Sequence, residues 1–168
     1  MRVAVLTVSE RSSRGEREDA AGPALRRAAE ALGHEVVAAE IVPDEREAIA
    51  GRIRALGARA DLVLTTGGTG LAPRDVTPEA TRDCLQREIP GIPEEIRRRS
   101  AAKDPRGLLS RATAGVLPGG ALVLNLPGSP GGAVECLGFV AEGLGHASRV
   151  ARGGQGDCGG GFTAPRGG

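Results

Sequence analysis

Two aspartates stand where a carboxylate can do chemistry. Asp75 lies in TTGGTGLAPRDVTPEAT, residues 65–81, directly behind Arg74, and Asp44 lies in IVPDE, residues 41–45, at the end of an apolar run. Ahead of Asp75, the segment Gly67-Gly68-Thr69-Gly70 permits positive φ and close backbone approach. Successive N–H groups in such a turn form a concavity that accepts an anion. A cation, an acid able to hold Mg²⁺ through oxygen, and a helix start at Thr77 are the parts that nucleotide phosphates require. The stretch is not a Walker A loop, because no Gly-Lys-Ser/Thr follows, and it is not GxGxxG. Each part also has a plainer reading: a tight turn for the glycines, a turn former for Asp75, and a helix N-cap for Asp44.

Other reactive side chains are less well placed. His34 opens a strand-like run and His146 lies in a helical one, without a carboxylate or Cys partner set by spacing, and both read as structural. Cys84, Cys136 and Cys158 have no metal-ligand spacing. The first two sit in apolar helical patterns and read as small buried hydrophobes; Cys158 falls in a polar tail. Asp19, in DAAGP, reads as a helix cap more readily than as a ligand.

The elements that must position Asp44 and Asp75 follow from hydrophobic periodicity. RVAVLTV at 2–8 is a short, nearly continuous apolar run suited to a strand covered on both faces. Residues 19–32 have helical spacing, with Pro23 in the first turn and Gly33 just beyond the end. Residues 34–42 give a second strand, Asp44 or Glu45 opens a second helix running to about Ala58, and 61–66 give a third strand, a βαβαβ pattern that predicts parallel strands with helices on both faces. Thr77 reads as the N-cap of a helix that reaches about Glu88, with Pro78 at its first position. PEEIRRRSA, from Pro93, suggests a short helix, and residues 112–128 read as two strands joined at Pro118-Gly119-Gly120. A last helix spans 133–150. The stretch 151–168 is Gly-rich and aperiodic, and is expected to be a mobile tail beyond a single domain of residues 1–150.

In open parallel sheets ligands bind outside the carboxyl ends of the strands. Four loops meet that condition: residues 9–15, residues 43–45, the GGTG stretch, and Pro127-Gly128-Ser129-Pro130, which is either a plain turn or a second source of backbone contacts. With strand order 2-1-3, the ends that carry Asp44 and Asp75 lie about 10 Å apart. That separation is too great for two carboxylates to share a proton, but it allows them to flank a metal-bound polyphosphate.

Composition narrows the partners. The 168 residues balance 22 Lys plus Arg against 21 Asp plus Glu, and contain no Trp, no Tyr and two Phe. Neither a basic field nor a set of stacking aromatics exists for nucleic acid. MRVAVLTV reads as a first strand and not as a signal peptide. With no run of about 18 apolar residues, a soluble, cytoplasmic protein is expected.

VLTTGGTGLAPRDVTPEAT, IVPDE, LSRATAGV at 109–116 and LNLPGSPGG at 124–132, in that order, resemble the MogA/MoaB family of molybdenum-cofactor biosynthesis proteins. The resemblance covers roughly residues 2–150. It implies a three-layer α/β/α fold with a mostly parallel sheet, homotrimers or homohexamers, and adenylylation of molybdopterin by Mg-ATP with release of pyrophosphate. It further implies that Asp44 and Asp75 are the catalytic pair and hold or orient Mg²⁺. Backbone N–H groups of Ser9 and of Gly67, Gly68, Thr69 and Gly70 would bind phosphate and Arg74 would stabilise charge. Pro127, Gly128 and Ser129 would contribute to the same pocket. A downstream molybdenum-insertion enzyme is the implied partner. The alternative within the pathway is a molybdopterin-binding or scaffold protein without turnover. A generic nucleotide-binding α/β domain is a third reading.

Overall fold

A computed structural model describes residues 1–154. Its centre is one six-stranded sheet in the order β2-β1-β3-β6-β5-β4. The strands are β1 (Arg2–Val8), β2 (Glu35–Val42), β3 (Leu62–Thr66), β4 (Arg87–Glu88), β5 (Ala114–Val116) and β6 (Leu122–Leu126). β1, β2, β3 and β6 run parallel, while β5 is antiparallel to β6 and to β4. Six α-helices accompany them: α1 (Glu10–Ser13), α2 (Ala21–Ala31), α3 (Arg46–Gly57), α4 (Thr77–Arg82), α5 (Gly91–Lys103) and α6 (Pro130–Ala151).

Strand side chains alternate between faces, so each central strand feeds two cores. Val3 and Val5 of β1, with Leu62, Leu64, Leu122 and Leu124, pack against Leu25 of α2, Ile96 of α5 and Leu137 and Leu144 of α6. Ala4, Leu6 and Val8, with Val63 and Val123, meet Ile49 and Ile53 of α3 and Ala80 of α4 on the other side. Every residue of β3 and β6 is buried. This is the three-layer α/β/α arrangement expected from the unbroken apolar runs. Among the described residues no helix is long and apolar enough to cross a membrane.

Within this core Asn125 satisfies a polar network. Its amide donates to Thr65 Oγ1 and Thr81 Oγ1, both at 2.9 Å, and its Oδ1 accepts from the Thr113 N–H at 3.2 Å. The network ties α4 to β3 and β6, and so fixes the helix that follows Asp75.

Three local expectations change. Thr77 is the first residue of α4 and not its N-cap, which is Val76. The Thr77 hydroxyl instead donates to Gly67 O at 2.9 Å, so the tie to the loop replaces the cap. α4 ends at Arg82, not near Glu88, because the Gln86 and Ile89 N–H groups bond to Val116 and Ala114 and create edge strand β4. α5 begins at Gly91, ahead of Pro93, which occupies its first turn. α6 runs from Pro130, three residues earlier than expected, to Ala151, the first residue of the expected 151–168 tail, of which residues 155–168, with Cys158, lie outside the described residues.

Candidate functional site

The loop after β3 is built by its glycines. Gly67 and Gly68 have φ of 99° and 63°. A Cβ on Gly67 would lie 2.3 Å from Val8 O, and one on Gly68 would lie 2.3 Å from Thr77 Oγ1. No side chain fits either position. The turn brings the loop under both aspartates: a Cβ on Gly68 would stand 3.3 Å from Asp44 Oδ1, and one on Gly70 would stand 2.8 Å from Asp75 Oδ2. Two carboxylates from different strand ends thus lie against one glycine turn, which the order β2-β1-β3 allows.

Each carboxylate is held by one oxygen. Asp44 Oδ2 accepts the Glu10 N–H at 2.7 Å, and Asp75 Oδ2 accepts the Ala72 N–H at 2.9 Å. Asp44 therefore does not cap the helix that follows it; the N-cap of α3 is Glu45, and Asp44 serves the N-terminus of α1 across the sheet end. Oδ1 of each has no hydrogen-bond partner among the described residues, in which no group of three or more His, Cys, Asp or Glu could hold a metal. Two free carboxylate oxygens suit Mg²⁺ that is bound through one or two carboxylates and completed by substrate phosphates.

Around the aspartates lies a cavity of about 320 Å³, lined by Thr7, Ser9, Ser12, Arg17, Asp19, Asp44, Gly67, Gly68, Arg74, Asp75 and Gly128 among others. Arg17 and Arg74 are exposed and have no ion pair among the described residues. Two cations are therefore free to meet phosphate oxygens. Asp19 is committed elsewhere: it accepts from the Thr7 hydroxyl at 2.7 Å and from Ala21 and Gly22 N–H at 3.0 Å each, the capping role expected of it.

Beside it lies a second cavity of about 580 Å³, lined by Thr69, Gly70, Leu71, Ile96, Ser100, Lys103, Arg106, Ser110, Pro127 and Ser129 among others. The expected single pocket is thus two. Gly67 and Gly68 face the aspartates, whereas Thr69 and Gly70 face the second cavity, and the loop after β6 divides in the same way, with Gly128 on the first side and Pro127 and Ser129 on the second. The two loops touch at the seam, where a Cβ on Gly128 would lie 3.2 Å from Gly67 Cα. The Thr66 hydroxyl anchors the second loop through Pro127 O at 2.7 Å.

Two expected backbone donors are already used. The Ser9 N–H bonds to Val42 O at 3.0 Å and its hydroxyl accepts from Ser12 N–H as the α1 N-cap. The Gly67 N–H bonds to Leu126 O at 3.2 Å. The N–H groups of Gly68, Thr69 and Gly70 have no partner among the described residues and remain available.

The structure adds residues that spacing did not single out. Arg17 lies just past the flagged loop after β1, so that loop was its one signal. Ser100 and Lys103 reach the second cavity through the packing of α5, and Arg106 reaches it from the 3₁₀ turn Pro105–Leu109 that follows, neither of which leaves a mark in local sequence. No histidine lines either cavity. Cys136 does line the second, but burial pushes its thiol above the usual range, against a Ser100 hydroxyl 3.6 Å away that lowers it. Burial likewise raises Cys84, so both thiols behave as small hydrophobes.

Residues 4–146 match the family profile described as a probable molybdopterin binding domain. A molybdopterin adenylyltransferase of Helicobacter pylori is 40% identical over 142 residues, 80% of this chain and 78% of that protein. The molybdenum cofactor synthesis protein cinnamon of Drosophila melanogaster is 41% identical over 146 residues, which are 85% of this chain but 24% of that protein. The chain thus spans about a quarter of cinnamon's length. Among solved structures, the molybdopterin biosynthesis enzyme MoaB of Thermus thermophilus superimposes with a TM-score of 0.84 at 48% identity, covering 93% of this chain and 99% of that one.

Proposed function

The chain belongs to the family of probable molybdopterin-binding domains of molybdenum cofactor biosynthesis, and from its two-cavity site we propose that it adenylylates molybdopterin with Mg-ATP. The observation that carries the reading is the pair Asp44 and Asp75, each with one uncommitted oxygen, converging on a glycine turn that retains free N–H donors.

The two cavities divide the substrates by chemistry. The aspartate-lined cavity, with Arg17, Arg74 and the Gly68 N–H, receives the triphosphate. The larger one combines Leu71 and Ile96 with Ser100, Lys103 and Ser110, a mixture suited to a flat, polar-edged pterin. The seam at Gly67, Gly68 and Gly128 is where the reacting groups meet. There a terminal phosphate oxygen of molybdopterin attacks the α-phosphorus of ATP. The new P–O bond forms as the bond from the α-phosphorus to its bridging oxygen breaks, and pyrophosphate leaves with that electron pair.

The nucleophile is a substrate oxygen that is already anionic, so neither a Ser-His nor a Cys-His pair is needed. The protein supplies alignment and charge neutralisation. Mg²⁺, held by Asp44 and Asp75, would neutralise charge on the polyphosphate. Arg17 and Arg74 offset what remains, and Gly68, Thr69 and Gly70 present fixed donors. In this reading the protein acts as a cytoplasmic homo-oligomer, a trimer or hexamer, and passes its product to a molybdenum-insertion enzyme.

Purified protein incubated with molybdopterin and Mg-ATP should release pyrophosphate stoichiometrically with pterin consumed. Tight pterin binding without pyrophosphate would point to a carrier, and no pterin preference over other heterocycles would point to a generic nucleotide-binding domain.

A further inference from the structure

The loop from Gly67 to Val76 forms walls of both cavities, yet it makes few backbone hydrogen bonds of its own. Apart from Gly67 N–H to Leu126 O, it has Asp75 N–H to Ala72 O at 2.8 Å, a closing bond from Thr77 N–H to Gly68 O at 3.1 Å, and the Ala80 N–H of α4 on Val76 O at 3.0 Å. A further set of its carbonyls is taken up by one distant residue. The Arg111 N–H donates to Thr69 O at 3.0 Å, its Nε to Gly70 O at 2.7 Å, and its terminal nitrogens to Asp75 O and to the Glu79 carboxylate.

We propose that Arg111 is a positioning residue that sets Asp75 relative to Thr69 and Gly70, and so registers the aspartate-lined cavity against its neighbour. The inference rests on the adenylyl-transfer reading for its catalytic consequence, though not for its structural one. Arg111 lines neither of the two cavities, so it acts through the loop and not on substrate. A guanidinium offers several N–H donors in a rigid planar fork, which lets one side chain bind carbonyls from both ends of the loop and an acid on α4 together. A lysine ammonium in its place keeps the charge without that fork. The side chain is 34% exposed, and the Glu79 ion pair is correspondingly screened, which leaves the carbonyl contacts as the geometric restraint.

The test compares Arg111→Gln and Arg111→Lys with wild type in the full chain. In Arg111→Gln, amide hydrogen exchange at Ala72, Asp75 and Thr77, the N–H groups that close the loop by hydrogen bonds, should accelerate about tenfold or more while the sheet remains protected. The kcat should fall roughly 100-fold as the reacting groups lose alignment. Arg111→Lys, which also serves if the glutamine variant fails to fold, should restore only part of the exchange protection and of kcat. Unchanged exchange at Ala72, Asp75 and Thr77 in Arg111→Gln, or full restoration by lysine, would overturn the proposal. Wild-type protein that releases no pyrophosphate would instead refute the adenylyl-transfer reading, and the exchange data would still decide the role of Arg111 in holding the loop.

Discussion

Replacing Asp75 by asparagine separates its charge from its shape. The loop contact is retained, because Asn Oδ1 can still accept the Ala72 N–H that Asp75 Oδ2 accepts at 2.9 Å. The hydrogen bond changes from charge-assisted to neutral, from about 1.5–3 to about 0.5–1.5 kcal/mol, so the stability loss should be about 1 kcal/mol. For a domain of this size that lowers Tm by about 2–4 °C. What disappears is the negative charge to which the proposed reaction assigns the holding of Mg²⁺. By comparison with removal of one preorganised electrostatic contact, kcat should fall about 10²–10³-fold, or about 2.7–4 kcal/mol. The assay is pyrophosphate release at saturating molybdopterin with Mg²⁺ titrated, beside a thermal melt of the same preparation. A variant that folds, binds pterin and keeps kcat within about threefold of wild type, less than 1 kcal/mol, would refute the reasoning and leave Asp75 a turn former.

Gly68→Ala places a methyl at φ 63°, 2.3 Å from Thr77 Oγ1. It should cost about 1–3 kcal/mol in urea unfolding and weaken Mg-ATP more than pterin. Asn125→Leu removes the amide from its buried partners and leaves the Thr113 N–H without an acceptor. A fall of about 1–3 kcal/mol per orphaned group is expected, measured as a lower urea midpoint. For Asp61, burial raises the carboxyl, but the Arg2 N–H at 2.7 Å and the charges of Arg152 and Arg2 outweigh it and hold it below its usual value. The folded value is depressed, so its stabilisation is present above the unfolded carboxyl value near about 3.9 and is lost as pH falls through the folded one. The stability gap between wild type and Asp61→Asn should therefore be constant from about pH 7 to about 5 and narrow below about 4 in urea melts.

Much of the fold was legible because its signals are local. The unbroken apolar runs of β1, β3 and β6 follow from burial on both faces, and the glycines at 119 and 120 marked the β5–β6 turn through their positive φ. Asp44 and Asp75 stood out because each follows a strand in the place where open sheets bind ligands. What local pattern did not reveal depends on distant partners. Edge strand β4 exists because Gln86 and Ile89 pair with β5, overriding the helical pattern of the segment. Asp44 holds the Glu10 N–H, 34 residues away, and its own helix goes without that cap. Ser9 looked like a phosphate donor but spends its N–H on Val42. The division of GGTG between two cavities required knowing where α5 packs.

Label transfer from ATP tests the central claim most directly. Protein is incubated with molybdopterin and Mg-ATP labelled at the α-phosphate, and in parallel with ATP labelled at the γ-phosphate. Adenylyl transfer at the seam predicts that the α-label moves to the pterin while the γ-label appears as pyrophosphate in equal amount, and that Asp44→Asn and Asp75→Asn suppress both. Pterin that is bound but carries no α-label, or label transfer that survives in both aspartate variants, would contradict it.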